Sequence, residues 1–266
     1  MTPPNVAPVL FVSHGAPTFA LEPGALGARL REVGSRLAGL RAVLVVSPHW
    51  QTRDLDIMTT ERPATIHDFG GFPPALYRLA YPAPGAPEAA VEAAELLREA
   101  GWQVNENDQR GLDHGAWVPL MHLLPGAEVP VFQLSMPHGL DARQALELGH
   151  ALAPLRARGI AILGSGSMTH NLHEFRGGAT RPEAYVAGFA RWVRAAVERR
   201  DLNSLVDYRR LAPDAERAHP TEEHFLPLLV ALGASADDDR PVVLDDEVRY
   251  GILSMESYAW GLGDAW

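Results

Sequence analysis

Apolar residues in this chain fall into short, largely β-branched runs separated by longer stretches with helical spacing. Residues 8–13 (PVLFVS), 41–47 (RAVLVVS), 129–135 (VPVFQLS) and 159–164 (GIAILG) read as buried strands, and residues 54–60 as a further strand. Stretches at 23–40, 87–100, 116–124, 141–158, 182–199 and 222–232 read as helices. Residues 241–249 and 251–258 read as a closing β-hairpin. Near-continuous apolar strands interleaved with helices predict an α/β fold with a central, mostly parallel sheet flanked by helices and a C-terminal antiparallel hairpin. With no internal repeat or long linker, residues 1–266 are expected to form a single catalytic-size domain. The Pro- and Gly-rich stretch 69–87 carries Phe69, Phe72, Tyr77 and Tyr81, which suits an ordered loop over a site better than a tether.

Composition narrows the function. The 266 residues are 47% hydrophobic and 21% charged, a balance that supports a sizeable core. A formal net charge of −10 with no basic stripe argues against a nucleic-acid partner and leaves a small-molecule substrate as the expectation. The absence of cysteine removes disulfides, thiolate nucleophiles and thiolate ligands, and fits a reducing, cytoplasmic setting. Residues 1–12 lack a basic segment and a signal-like apolar core, and no run approaches the roughly 20 apolar residues of a membrane span. Against this ordinary background stand eleven histidines.

Four of them recur in one topological position. His14 follows the first strand, His49 the second, and His170 the strand ending at Gly164, while His224 opens a helix. Loops beyond the carboxyl ends of parallel strands converge in one crevice, so distant residues meet there. A helix start disfavours imidazolium, and a metal ligand must be neutral. Imidazole donors without sulfur suit Fe, Zn, Cu or Ni over Mg or Ca. The pattern leaves two readings open: a metal centre, or loop histidines each held by local hydrogen bonds.

The other histidines carry less. His114, among glycines ahead of a helix, is a fifth candidate, its glycines allowing close substrate approach. His67, on the aromatic loop, suits a pocket wall or a surface equally, and His122 sits in an apolar helix as a partly buried residue with a satisfied ring. His138, His150, His173 and His219 read as surface or supporting residues. The GSGS at 164–167 matches neither dinucleotide-binding nor P-loop spacing, nor the order of a serine nucleophile elbow. Its glycines are expected to let backbone and hydroxyls approach a substrate.

Seven stretches fall in a recognisable order: 12–17 (VSHGAP), 45–50 (VVSPHW), 65–73 (TIHDFGGFP), 81–85 (YPAPG), 111–117 (GLDHGAW), 164–172 (GSGSMTHNL) and 220–228 (PTEEHFLPL). Together they resemble the class III extradiol ring-cleavage dioxygenases, in the DOPA 4,5-dioxygenase-like branch. The resemblance implies one divalent metal held by His14, His49 and His224, with Fe(II) needed for activity and Zn(II) a possible occupant. Related enzymes use a glutamate as third ligand, which keeps Glu222 and Glu223 in view. It further implies that His170 is the acid/base, able to serve as a fourth ligand in a zinc-filled, substrate-free protein. His114 would contact a substrate hydroxyl or dioxygen.

The implied substrates are a substituted catechol such as DOPA and O2, with a muconic semialdehyde-type product. Histidine suits the proton transfers because its pKa lies near operating pH, and the loop from Phe69 to Tyr81 would cover the ring. Two rival functions remain at this stage: a zinc hydrolase on the same scaffold, with Glu222 or Glu223 as base, and a non-catalytic aromatic- or metal-binding protein.

Overall fold

The apolar runs form the middle of one sheet. The computed structural model describes residues 6–37, 39–176, 179 and 181–263, so the ends of the 1–266 domain assignment lie outside the described residues. In chain order the strands are β1 (Val9–Ser13), β2 (Ala42–Thr52), β3 (Leu55–Met58), β4 (Val104–Asn107), β5 (Val131–Pro137), β6 (Ile160–Gly166), β7 (Val242–Asp245), β8 (Val248–Arg249), β9 (Leu253–Ser254) and β10 (Ser257–Trp260). The helices are α1 (Gly24–Gly34), α2 (Pro87–Glu99), α3 (His114–Leu123), α4 (Ala142–Leu152), α5 (Ala184–Glu198), α6 (Leu202–Val206), α7 (Tyr208–Leu211), α8 (Ala215–Ala218) and α9 (Leu226–Ala234). No described helix is long and apolar enough to cross a membrane.

The main sheet runs β4-β3-β5-β2-β6-β1-β10-β7. Its centre, β5-β2-β6-β1, is parallel throughout. Every residue of β1 and β6 is buried, as expected of strands covered on both faces. The anticipated C-terminal hairpin is present in a broken form. β8 pairs with β9 on its own, while β10 lies antiparallel to β1 and β7 antiparallel to β10 in the main sheet. The fold is thus a single α/β domain with a mostly parallel core.

Several boundaries differ from the sequence pattern for identifiable reasons. The helix expected over 23–40 stops at Gly34, whose backbone presses on the Leu123 carbonyl so closely that a Cβ would not fit; Ala38 lies outside the described residues. The helix expected over 141–158 breaks at Leu152 and continues as a 3-10 turn, Ala153–Arg158, because Pro154 cannot donate to the preceding turn. The helix expected from residue 222 begins only at Leu226, with Pro227 in its first turn. Strand β4 was not foreseen: its sequence, VNEN, has no apolar alternation and pairs only at the sheet edge. Nor were the short helices α6–α8.

The expected second strand also extends past Ser47 to Thr52. Its register with β5 jumps from Val46↔Leu134 to Gln51↔Met136, so Pro48, His49 and Trp50 bulge out of the ladder. Pro48 has no N–H for a ladder bond and fits only at such an irregularity.

Helices α1 and α3 cover one face of the sheet, while α2, α4 and α9 cover the other. All nine residues of α9 are buried, because it lies between the sheet and α4. The α4–α9 approach depends on paired glycines. A Cβ on Gly149 would overlap the Val230 carbonyl, and one on Gly233 the Leu146 carbonyl. Both obstacles are backbone, so neither can rotate away. Overpacking of this kind costs about 1–3 kcal/mol. Gly233→Ala is therefore expected to lower the unfolding free energy in urea by about 2 kcal/mol. By contrast, Gly188→Ala within α5, where a Cβ meets nothing within 4 Å, should raise it by about 0.5–1 kcal/mol.

Candidate metal centre

Five histidines converge at the carboxyl end of the parallel strands, each delivered by a different local device. His14 leaves β1 through Gly15, which adopts φ +62, a left-handed turn that glycine enters without strain. The His14 ring nitrogen Nδ1 lies 2.9 Å from Ser165 Oγ. Ser165 donates its own proton to the Gly115 carbonyl in a short hydrogen bond, so its oxygen accepts from His14 Nδ1–H. That tautomer leaves His14 Nε2 unprotonated, 3.1 Å from His49 Nε2.

His49 rides on the bulge of β2. A buried polar network pins that bulge. Asp113, fully buried, accepts from Ser47 Oγ at 2.8 Å, from Gln133 Nε2 at 2.9 Å and from Arg110 at 2.9 Å. Arg110 also donates to the His49 carbonyl at 3.3 Å and lies over the Trp50 ring. Gly115 completes the arrangement, since a Cβ there would strike Ser47 Oγ and crowd His49.

His224 lies in the turn ahead of α9 rather than within a helix. Its Nδ1–H donates to Glu223 Oε1 at 3.0 Å, an oxygen that also accepts from Thr221 Oγ1 at 3.0 Å. His224 Nε2 is buried with no hydrogen-bond partner. Such an orphan is costly, about 1–3 kcal/mol, and calls for an explanation. The donor atoms of His14, His49 and His224 all lie within 4.8 Å of one another, close enough to converge on one ion with small side-chain adjustments. A cluster able to bind a metal is therefore present; this group is all imidazole, while two overlapping groups, His49 with Asp68 and His114 and His170 with Glu223 and His224, each include a carboxylate.

Electrostatics favours neutral ligands. Burial, followed by the charges of neighbouring imidazoles, drives the pKa of His14 and of His224 well below the ordinary histidine value. Burial and the charge of His114 lower His49 to about 4, against the opposing pull of Asp113 and Asp68. His170 is also lowered by burial, with Glu223 opposing. Its ring stacks on His224 at 3.5 Å and 10°, and its backbone N–H is held by the Ala218 carbonyl at 2.8 Å. His170 groups with Glu223 and His224 rather than with the three-histidine set. His114, at the start of α3, faces Asp68, whose Oδ2 lies 2.9 Å from His114 Nδ1. Burial alone would raise the Asp68 pKa, but the hydrogen bonds and charge of His114 and the charge of His49 hold it at about 2.

All five rings open onto one cleft of about 570 Å³, whose remaining wall is largely Phe69, Phe72, Leu172, Phe175 and Leu253. The aromatic loop thus reaches the site as expected, although only part of it forms the wall. Tyr81 is buried beneath, its hydroxyl tied to the Leu124 carbonyl at 2.9 Å. His67 does not line the cleft; it bonds the Leu79 carbonyl at 3.0 Å and packs against Phe69, Tyr77 and Trp117. His122 is buried and satisfied by the Phe19 carbonyl. His138, His150 and His173 are exposed, whereas His219 is wholly buried, bonded to the Met168 carbonyl at 2.9 Å. Its role is to hold the chain that carries His170, not to face solvent.

The glycines act differently from the sequence expectation. Cβ atoms on Gly164 and Gly166 would collide with the Pro227 and His224 carbonyls, so these residues admit the α9 segment against β6 rather than a substrate. Ser165, between them, points to the opposite face and holds His14. Of the two glutamates beside His224, Glu222 turns away to accept from Tyr208 Oη at 3.0 Å. Sequence reasoning expected the Ser165 hydroxyl to approach a substrate, whereas it holds His14, and it gave Asp68 no role. Asp68 could have been suspected from its place beside His67 and Phe69 in the aromatic loop, while nothing local marks Ser165 as a partner of His14.

Comparisons with known proteins give the family. Residues 9–260 match the family described as the catalytic LigB subunit of aromatic ring-opening dioxygenase. The chain is similar to a protein of Beta vulgaris named 4,5-DOPA dioxygenase extradiol, 37% identical over 260 residues that cover 96% of each chain. A protein of the same name from Escherichia coli (strain K12) is 37% identical over 262 residues, covering 96% of this chain and 94% of that one. The crystal structure of an uncharacterized protein from Escherichia coli K12 superposes with a TM-score of 0.78 at 30% identity, covering 95% of this chain and 99% of the other. With the motif order, the fold and nearly the full length in agreement, the chain belongs to the LigB family of aromatic ring-opening dioxygenases.

Proposed function

We propose that this extradiol dioxygenase opens the ring of a substituted catechol such as DOPA with O2, using one divalent ion held by His14, His49 and His224, with Fe(II) as the active metal. The observation that carries this reading is the buried, unpartnered Nε2 of His224 within a set of imidazole donors close enough to share one ion. DOPA is the first catechol to test because the relatives that bear its name match almost the whole chain. An iron ion at this position would supply the activation of O2 and of the catechol oxygens that no side chain in the cleft can provide.

The chain's own residues handle protons and water. His170 is neutral near pH 7 because burial lowers its pKa. It lines the cleft, where its ring can take a proton from a catechol hydroxyl and return it to an oxygen of the opening ring. His114 assists from the α3 side, and Phe69 and Phe72 flank the ring and limit water. In a zinc-loaded protein without substrate, His170 is available as a fourth ligand. The hydrolase alternative loses its general base, since Glu222 is engaged by Tyr208 and Glu223 by His224 and Thr221.

Three outcomes test the reading. Alanine at His14, His49 or His224 should abolish stoichiometric metal binding and oxygen uptake together, read by elemental analysis and an oxygen electrode. His170→Gln should retain about one ion per chain while kcat falls about 10²–10⁴-fold. Anaerobic loading with Fe(II), then air and DOPA, should give oxygen consumption and a product absorbing in the visible, whereas the zinc-loaded protein should give neither. An iron-loaded protein inert towards a broad catechol panel would overturn the proposal.

Metal loading should also show a characteristic pH dependence. Protons compete with metal only where a ligand imidazole titrates, and all three ligands have depressed values, that of His49 lying at about 4. Zinc affinity measured by competition with a chelator should therefore change little between about pH 7.5 and 6 and fall steeply only towards about pH 4. A tenfold loss per pH unit already setting in near the ordinary histidine value of about 6.5 would show that the ligands are not held neutral.

A further inference from the structure

One carboxylate of the aromatic loop between β3 and α2 is bonded to a histidine of the cleft. Asp68 Oδ1 accepts the backbone N–H of His114 at 2.8 Å, and Asp68 Oδ2 lies 2.9 Å from His114 Nδ1. Two bonds from one carboxylate to one residue fix both the start of α3 and the rotation of the imidazole. The same Oδ2 is 3.7 Å from His49 Nδ1, too far for a hydrogen bond. Asp68 keeps its side chain 22% exposed, and the His114 side chain, which lines the cleft, is 8% exposed.

An ionised carboxylate only accepts hydrogen bonds. Facing Asp68, a neutral His114 must therefore carry its proton on Nδ1, which leaves the lone pair on Nε2. The ring lines the cleft, edge-on to His14 at 5.4 Å and to Phe69 at 5.6 Å.

We propose that Asp68 is a positioning residue for ring opening: it locks His114 in the Nδ1–H tautomer, so that His114 Nε2 accepts a hydrogen bond from a hydroxyl of the bound catechol. This rests on the function proposed above, and it gives the assistance of His114 a definite form. Asp68 and Phe69 are adjacent, so one clamp sets both the tautomer and the placement of the aromatic wall. Partners that orient active-site histidines in this way typically account for about 10–100-fold in function when removed.

Asp68→Asn separates the possibilities. The amide oxygen can still accept from the His114 backbone N–H, while the NH2 group faces Nδ1 as a donor and forces the proton onto Nε2. In zinc-loaded protein labelled with 15N-histidine, the His114 proton should reside on Nδ1 in the parent and on Nε2 in Asp68→Asn. In iron-loaded protein, kcat/KM for DOPA should fall about 10–100-fold with metal content unchanged. Asp68→Glu, again acceptor-only, should return the Nδ1–H tautomer and part of the activity. The proposal is overturned by an unaltered tautomer in Asp68→Asn, by an altered tautomer with full kcat/KM, or by an activity loss that merely tracks metal loss through His49. If the parent protein itself turns over no catechol, the functional reading fails, yet the NMR comparison still decides whether Asp68 controls His114.

Discussion

A buried imidazole nitrogen without a partner is costly, and at this site three of the five rings have one nitrogen tied up before any ligand arrives. Ser165 holds Nδ1 of His14, Glu223 holds Nδ1 of His224, and Asp68 holds Nδ1 of His114. Each bond decides a tautomer, and each tautomer leaves an Nε2 lone pair free of its proton. His14 Nε2 then lies against His49 Nε2, and His224 Nε2 has no partner. A protein that buried these nitrogens only for packing would carry a standing penalty of about 1–3 kcal/mol for the orphan. The arrangement makes sense when a cation completes it.

The sheet enforces that geometry through alternation. Along β6, Gly164 and Gly166 face α9 while Ser165 between them faces α3. The two glycines let the α9 segment lie directly on the strand and bring His224 to its end. The serine, on the other face, reaches His14 and the Gly115 carbonyl. His49 comes from the neighbouring β2, thrown out of register by the Pro48 bulge and fixed by Asp113 and Arg110. A shift of one residue in β6 would exchange these roles and dismantle the site. Position in the pleat, not proximity in sequence, brings the histidines together.

This explains what could be read in advance. The strands β1, β2, β5 and β6 announce themselves as apolar runs, and His14 and His49 stand at or near their ends. His170 and His224 were also marked by their places beyond a strand and at a helix start, but their separate jobs came only from the resemblance of GSGSMTHNL and PTEEHFLPL to a known family. The edge strand β4 and helices α6–α8 leave little trace, because polar edges and short helices lack an apolar period. The actual roles of Ser165 and Asp68 were illegible for another reason. Their significance lies in which ring nitrogen they touch, and that depends on two chain segments meeting. The glycines of GSGS were noticed, but their purpose was misassigned: they serve the approach of backbone to backbone, which residue type alone does not distinguish from approach to a ligand.

The location of negative charge follows the same logic. A two-histidine, one-carboxylate set cancels one of the two charges of a divalent ion, whereas His14, His49 and His224 would cancel none. The nearby carboxylates, Asp68 and Glu223, stand one hydrogen bond further out, each against a histidine Nδ1. On the proposed ligand set, they would orient the rings and temper the local potential from outside the ligand positions. A cation held by neutral donors keeps a stronger pull on any anionic oxygen that approaches it, and a catechol that gives up a proton supplies such an oxygen. Burial that lowers the pKa of His14, His49 and His224 therefore suits a cleft that would attract a deprotonating diol while keeping the proposed ligands free of protons.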